Sequence, residues 1–435
     1  MRKLHYHAAG IDIGAEKIFI AIEGLKVCSF STFTSDFRLA VEYLLSHQIK
    51  TVAMEATGVY WVILYDMLEV AGLDVWLVDG RATRQAPGRK TDVKDCQWIQ
   101  ELHSCGLLKR CFIPDAHIQE LRSYQRLRED HIRSSSMHIN HMQKALTLMN
   151  IRLKEVLNQI HGVSGLAMIR AILAGERDAK KLLALCHHSI KKKKADQVLK
   201  ALEGHYKESG LFELKQAYQS YEFYQARIRE CDQQLEMVLK KMNGFQPEEE
   251  KKEMGKRKPI RHNRPQIADL GWHLLEIFGG KDATQLSGIT DYTWLQLYTE
   301  TGSDLTKWVV EKRFTSWLGL APGQNHSGKK RRNKRKKGHP KAGQIFRQIA
   351  RSLIESKNIA LGAFGRRIKG RRGPGVAIKA VARKLAVLYW RMMVKGLDYV
   401  ERGVKAYEEK MKLQNQRWLE KKAQEMGYQL TPVPS

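Results

Sequence analysis

The chain has 435 residues, 43% of them hydrophobic, so it has apolar material for real cores and is not a disordered polyelectrolyte. Its 75 Lys and Arg outnumber 46 Asp and Glu for a net charge of +29, well above what solubility asks of a small domain, and this excess points to a polyanionic partner. No apolar run reaches the roughly 20 residues a membrane span needs, and the N-terminus meets Asp12 and Glu16 without a secretory apolar segment.

In chain order, Ala8-Ala-Gly-Ile-Asp-Ile-Gly, Lys17-Ile-Phe-Ile-Ala-Ile and Lys26-Val-Cys-Ser-Phe-Ser-Thr read as three strands. Thr34-Ser-Asp predicts an N-cap for a helix over 37–46. A strand at 51–56, a helix at 58–71 and a strand at 73–79 follow. Three strands joined by short turns and then helix–strand–helix–strand is the order of a ribonuclease-H-like sheet. After a loop of Arg, Gly and Pro (80–91), Asp92 opens a further helix to about Leu108. Apolar residues then recur every three or four positions from Ile118 to Ile160, which predicts one long helix, with a second at 218–242 to pack back on it. Residues 243–266 read as a linker, 267–403 as a third domain, and the tail beyond as polar and helical. Six scattered cysteines without a Cys-x-x-Cys pair read as reduced thiols rather than zinc ligands or disulfides.

Charge is unevenly placed: Ser327 to Lys384 holds twenty Lys and Arg against one acid, Glu355. Lys329, Lys330, Arg331, Arg332, Lys334 and Arg335 lie in one run, and Arg366, Arg367, Arg371 and Arg372 in a second; both suit a phosphate backbone. Arg81, Arg84, Arg89 and Lys90 form a third group, beside the acids of the front half. Lys191–Lys194 either holds RNA or is a solvated turn. On the residues alone Ser327 is unremarkable, because a hydroxyl attacks phosphorus only when deprotonated and faced with a clamped phosphate.

Four acids stand out. Asp12 sits inside an apolar strand, where an ionised carboxylate is costly unless partnered. Glu55 ends another strand, and in a ribonuclease-H-like sheet that strand lies beside the first. Asp92 and Asp95, three apart, leave one face of a helix start; taken alone they read as an N-cap and a first-turn acid. Together the four would repel strongly unless they shared hard divalent cations such as Mg²⁺, and that combination serves phosphoryl transfer.

The segments Gly10-Ile-Asp-Ile-Gly, Met54-Glu-Ala-Thr-Gly-Val-Tyr, Gly88-Arg-Lys-Thr-Asp-Val-Lys-Asp-Cys-Gln-Trp and Phe314-Thr-Ser-Trp-Leu-Gly-Leu-Ala-Pro-Gly, followed by Ser327-Gly-Lys, resemble in order the transposases of the insertion sequence one-ten family, relatives of the Piv invertase. The resemblance implies a RuvC-like N-terminal domain (1–110) with a DEDD acid set on Asp12, Glu55, Asp92 and Asp95. It further implies a helical coiled-coil arm (111–242) and, past the linker, a mainly helical transposase domain (267–403) with Ser327 as nucleophile, then a tail (404–435). It also implies donor and target DNA as substrates, a structured bridge RNA as guide, and a prokaryotic cytoplasm at the nucleoid as location; cutting and rejoining two duplexes would need several active sites, so a homodimer or homotetramer is expected. The chain departs from the family at Asp79-Gly80, where Asn-Ala or Asn-Pro is more usual, and in lacking serines next to Ser327. Leu286-Ser-Gly-Ile resembles the hairpin of a helix-hairpin-helix, with Thr290 in place of its following Gly. The alternatives are a metal-dependent RuvC-like nuclease or junction resolvase, and a non-catalytic nucleic-acid-binding protein.

Overall fold

A computed structural model of the protein describes residues 3–56, 58–80, 83, 91–243, 257–322, 326–327, 330–331, 340–396, 403–429 and 431. The chain divides into two units, Met1–Ile113 and Pro114–Ser435.

The first unit is built on a five-stranded sheet of order β3-β2-β1-β4-β5, from β1 (Ala8–Ile13), β2 (Lys17–Ile22), β3 (Cys28–Ser31), β4 (Thr51–Glu55) and β5 (Asp74–Val78). β1 pairs antiparallel with β2 and parallel with β4, which pairs parallel with β5. Strand periodicity sorts the side chains onto two faces. Ala9, Ile11, Ile13, Val52 and Met54 bury against α1 (Thr34–Ser46) and α2 (Trp61–Val70) through Phe37, Leu44, Leu64 and Leu68. On the opposite face Ala53 and Val78 pack on Ile99 and Leu102 of α3 (Asp92–Ser104). α1 starts earlier than the sequence suggests: Thr34 is already helical, Phe33 is the N-cap, and the Ser31 hydroxyl donates to Asp36 in the first turn.

The second unit is mainly helical. α4 (Ala116–Leu148) and α9 (Glu208–Asn243) run antiparallel, shown by the pairs Gln225–Ser135 and Arg128–Asp232. The single helix expected to Ile160 stops at Leu148, where Asn150 takes a left-handed φ of 58°. The periodic residues beyond it, Leu153 and Val156, belong to the short α5 (Leu153–Val156). Together with α6 (Val163–Leu173), α7 (Ala179–Ala184) and α8 (His188–Leu202), this helix encloses a core of Met149, Ile151, Met168, Ile172, Leu182 and Val198. Of the expected linker, 244–256 lie outside the described residues.

The C-terminal part of this unit holds α10 (Leu270–Ile277), α11 (Asp291–Thr301), α12 (Glu311–Trp317), α13 (Lys341–Glu355), α14 (Ala360–Arg372), α15 (Pro374–Lys395) and α16 (Gly403–Glu425). Buried aromatic rings tie them together, among them Trp294, Phe314, Phe346 and Tyr389, with the last two 5.7 Å apart. α4 meets α11 through polar groups. Arg126 binds Glu300 through two hydrogen bonds of 2.9 Å, and Arg128, fully buried, bonds Asp232 at 2.5 Å and the Tyr292 hydroxyl at 2.8 Å. Before α11, Gly288 takes a φ of 82° and Thr290 forms a reciprocal cap with Thr293. Thr290 therefore starts the helix at the place where the hairpin motif would put Gly. Among the described residues no helix is long and apolar enough to cross a membrane.

Candidate active site

Asp12 is the fifth residue of β1 and belongs to the face covered by α3. Two residues earlier, Gly10 explains how closely that helix lies: a Cβ at Gly10 would overlap the backbone of Cys96 and Gln100. With no side chain in the way, α3 crosses β1 in backbone contact. The start of α3 is capped by Thr91, whose hydroxyl accepts the Lys94 N–H at 3.3 Å. Asp92 and Asp95 are thus not needed as caps. They occupy the first turn, where the positive end of the helix dipole favours carboxylates.

This crossing brings three carboxylates together. One oxygen each from Asp12, Asp92 and Asp95 lies within 4.8 Å of the others, with Asp92 exposed and the other two half-buried. Hard oxygen donors at this spacing suit a divalent cation such as Mg²⁺, which takes one or two carboxylates and keeps waters and substrate oxygens. The Cys96 thiol lies buried next to the group, where burial first and the Asp12 charge second push it up to about 12. It donates to the Val93 carbonyl at 3.1 Å and stays a thiol, so it offers no soft ligand at neutral pH.

Glu55 is not one of the carboxylates in this 4.8 Å group. One step beyond the last paired residues, Ile11 and Met54, its Cα leaves the strand beside that of Asp12 on the same face. Its carboxylate, however, accepts the Thr83 hydroxyl at 2.7 Å and lies against Gly80, where an added Cβ would overlap Oε1. Asp79, where the chain departs from the family pattern, is exposed past the end of β5. It is a lesser cause, after burial, of the Cys111 thiol rising to about 11.

The serine and the basic residues fall in the second unit, apart from one group. Ser327 lies in β6 (His326–Ser327), which pairs antiparallel with β7 (Lys330–Arg331), Ser327 opposite Lys330. Lys329, Arg332, Lys334 and Arg335 lie outside the described residues, as do Arg81, Arg84, Arg89 and Lys90 of the first unit. Arg366 has a structural duty. Its guanidinium donates to the carbonyls of Ile354 (3.0 Å), Ser356 and Lys357 (3.3 Å), closing the C-terminus of α13. Arg367 is half-buried, whereas Arg371 and Arg372 are exposed in the last turn of α14.

Sequence reasoning did not single out Gly10, Thr83 or Cys96. The signal for Gly10 was present, a glycine two residues before an in-strand acid. Thr83 carries none, because its hydrogen bond to Glu55 joins residues 28 apart in the chain.

No curated protein matches the chain. Two family models do: one described as a transposase, of the DEDD and IS110 type, matches residues 9–151, and one described as the transposase IS116/IS110/IS902 family matches residues 281–364. The first segment contains all four acids and the second contains Ser327, and together they span just over half the chain. In sequence order and at the segments that carry the acids and the serine, the protein thus belongs to the IS110 family of transposases.

Proposed function

We propose that this transposase carries out strand exchange between donor and target DNA through a phosphoserine intermediate at Ser327. The observation that carries the reading is the convergence of Asp12, Asp92 and Asp95 at the C-terminal end of the central strand, in a family whose members move DNA. The sheet order supports a ribonuclease-H-like, RuvC-like domain, for which Glu55 is the fourth acid. A bound Mg²⁺ would polarise a phosphoryl oxygen and offset charge on the leaving oxygen. The carboxylates of this chain orient it, and Ser327 Oγ forms the new bond to phosphorus while one strand's P–O bond breaks. The phosphoserine ester conserves the phosphodiester energy, so a DNA hydroxyl from the other duplex can displace the serine without a nucleotide cofactor.

The remaining parts of the reading follow from charge and from the family resemblance. Arg371, Arg372, Lys329, Lys330, Arg331 and their neighbours hold phosphates and give affinity without sequence information. Arg81, Arg84, Arg89 and Lys90 hold a strand near the acids. Sequence choice comes from a structured guide RNA that pairs with both DNA sites. Two duplexes cut and rejoined require several active sites, hence a homodimer or homotetramer. The domain limits are those given above, with the long α4–α9 pair as the coiled-coil arm.

The test is covalent trapping. Protein incubated with donor DNA and Mg²⁺, then denatured, is expected to carry DNA at Ser327, and Ser327→Ala to lose both adduct and recombination. Cleavage that persists in Ser327→Ala without an adduct would instead make the protein a metal-dependent nuclease. Sequencing RNA of defined length that co-purifies with the protein tests the guide separately.

A further inference from the structure

We propose that Thr83 is a positioning residue for Glu55: its hydroxyl holds the carboxylate beside Gly80, away from the Asp12–Asp92–Asp95 group, and Glu55 serves as fourth ligand only by giving up that bond. The inference rests on the metal-site reading of the acids and deepens it. Glu55 and Asp12 leave neighbouring strand ends on the α3 face, so their backbones already stand where both side chains can serve one ion. Yet the Glu55 carboxylate turns to the β5 side, held by the Thr83 hydroxyl at 2.7 Å. Thr83 is itself buried, at 7% exposure, so its hydroxyl bond is not readily exchanged for water.

Two physical effects make this resting place favourable. A fourth carboxylate added to three whose oxygens lie within 4.8 Å meets strong like-charge repulsion. A hydrogen bond to a charged acceptor is also among the stronger ones, enough to bias a two-position side chain by about ten-fold. Gly80 completes the cradle, because any Cβ there would overlap Glu55 Oε1. Thr83 therefore sets the cost of recruiting Glu55, and with it the cation affinity of the group.

Calorimetric titration of the full chain with Mn²⁺ as probe tests this. Thr83→Val keeps the shape of the side chain and removes the donor, and is expected to tighten Mn²⁺ binding by up to about ten-fold; Thr83→Ser is expected to match the native chain. In a Glu55→Gln background the gain from Thr83→Val should vanish, which a merely structural role of Thr83 would not produce. Gly80→Ala crowds the same carboxylate from its other side and is expected to tighten Mn²⁺ binding in the same direction, a second route should Thr83→Val fail to fold. Thr83→Val binding Mn²⁺ no more tightly than the native chain, while Asp12→Asn weakens it, overturns this proposal alone. Native protein that binds no Mn²⁺, or binds it independently of Asp12, overturns the metal reading and this proposal together.

Discussion

His103 is fully buried in the N-terminal unit, its Nε2 2.9 Å from the Thr51 hydroxyl and its ring stacked 4.8 Å from that of His5. Burial first, and the neighbouring His5 second, lower its pKa to about 4. The unfolded chain binds a proton at this residue near pH 6.5 and the folded chain only near 4. Acidification through that window therefore favours unfolding, and above it the contribution is fully present. About 2 kcal/mol should be lost between pH 6.5 and pH 5. We expect the melting temperature of the isolated signal from this unit to fall across that range, and His103→Gln to flatten the slope; a native chain with no pH dependence there would contradict the assignment. The acids show how far single residues were legible. Asp12 was conspicuous because a charge in an apolar strand demands a partner. The hold of Thr83 on Glu55 was invisible, since 28 residues separate the two and only the fold joins them.

At the scale of elements, a buried ion pair between α4 and α9 also reaches α11 and the segment before α10. Arg128 and Asp232 are 0% and 1% exposed, and Tyr292, the Asn263 carbonyl and the Gln266 N–H complete their hydrogen bonds. Such a pair adds little over well-packed apolar groups, but removing one partner strands a buried charge. Arg128→Met alone is expected to cost about 3–5 kcal/mol in denaturant unfolding. Adding Asp232→Leu to it should recover most of that loss, and equal costs for the single and double variants would show the pair to be unimportant. The sequence periodicity foresaw α4 and α9 but not where α4 ends. Leu153 and Val156 keep the helical rhythm of the preceding residues, and a pattern of apolar spacing cannot distinguish one helix from two that bury into a common core. The break at Asn150 depends on that core, formed with residues as distant as Leu202.

Across the whole molecule, the excess positive charge is concentrated in the back half and the clustered acids lie in the front. The exposed pair Arg371 and Arg372 ends α14, where cations also suit the helix dipole. If both contact phosphates, the Arg371→Gln, Arg372→Gln double variant should bind duplex DNA more weakly and lower the slope of log K against log salt by about 2. An unchanged slope in a filter-binding series would remove them from the DNA contact. Arg366, in the same basic motif, is expected to behave differently, because its guanidinium already caps three carbonyls of the α13 end.

The sequence by itself determined the order of strands and helices, the conspicuous acid Asp12 inside an apolar strand and the charge imbalance, which are properties of residue type and spacing that local physics reads directly; Ser327 stood out only through the family resemblance. The tertiary structure alone decided which acids meet. Gly10 lets α3 lie on β1 and so gathers Asp12, Asp92 and Asp95, while Thr83 and Gly80 draw Glu55 to one side. Those outcomes depend on close approach between segments distant in the chain, and spacing along a sequence does not encode the distance across a fold.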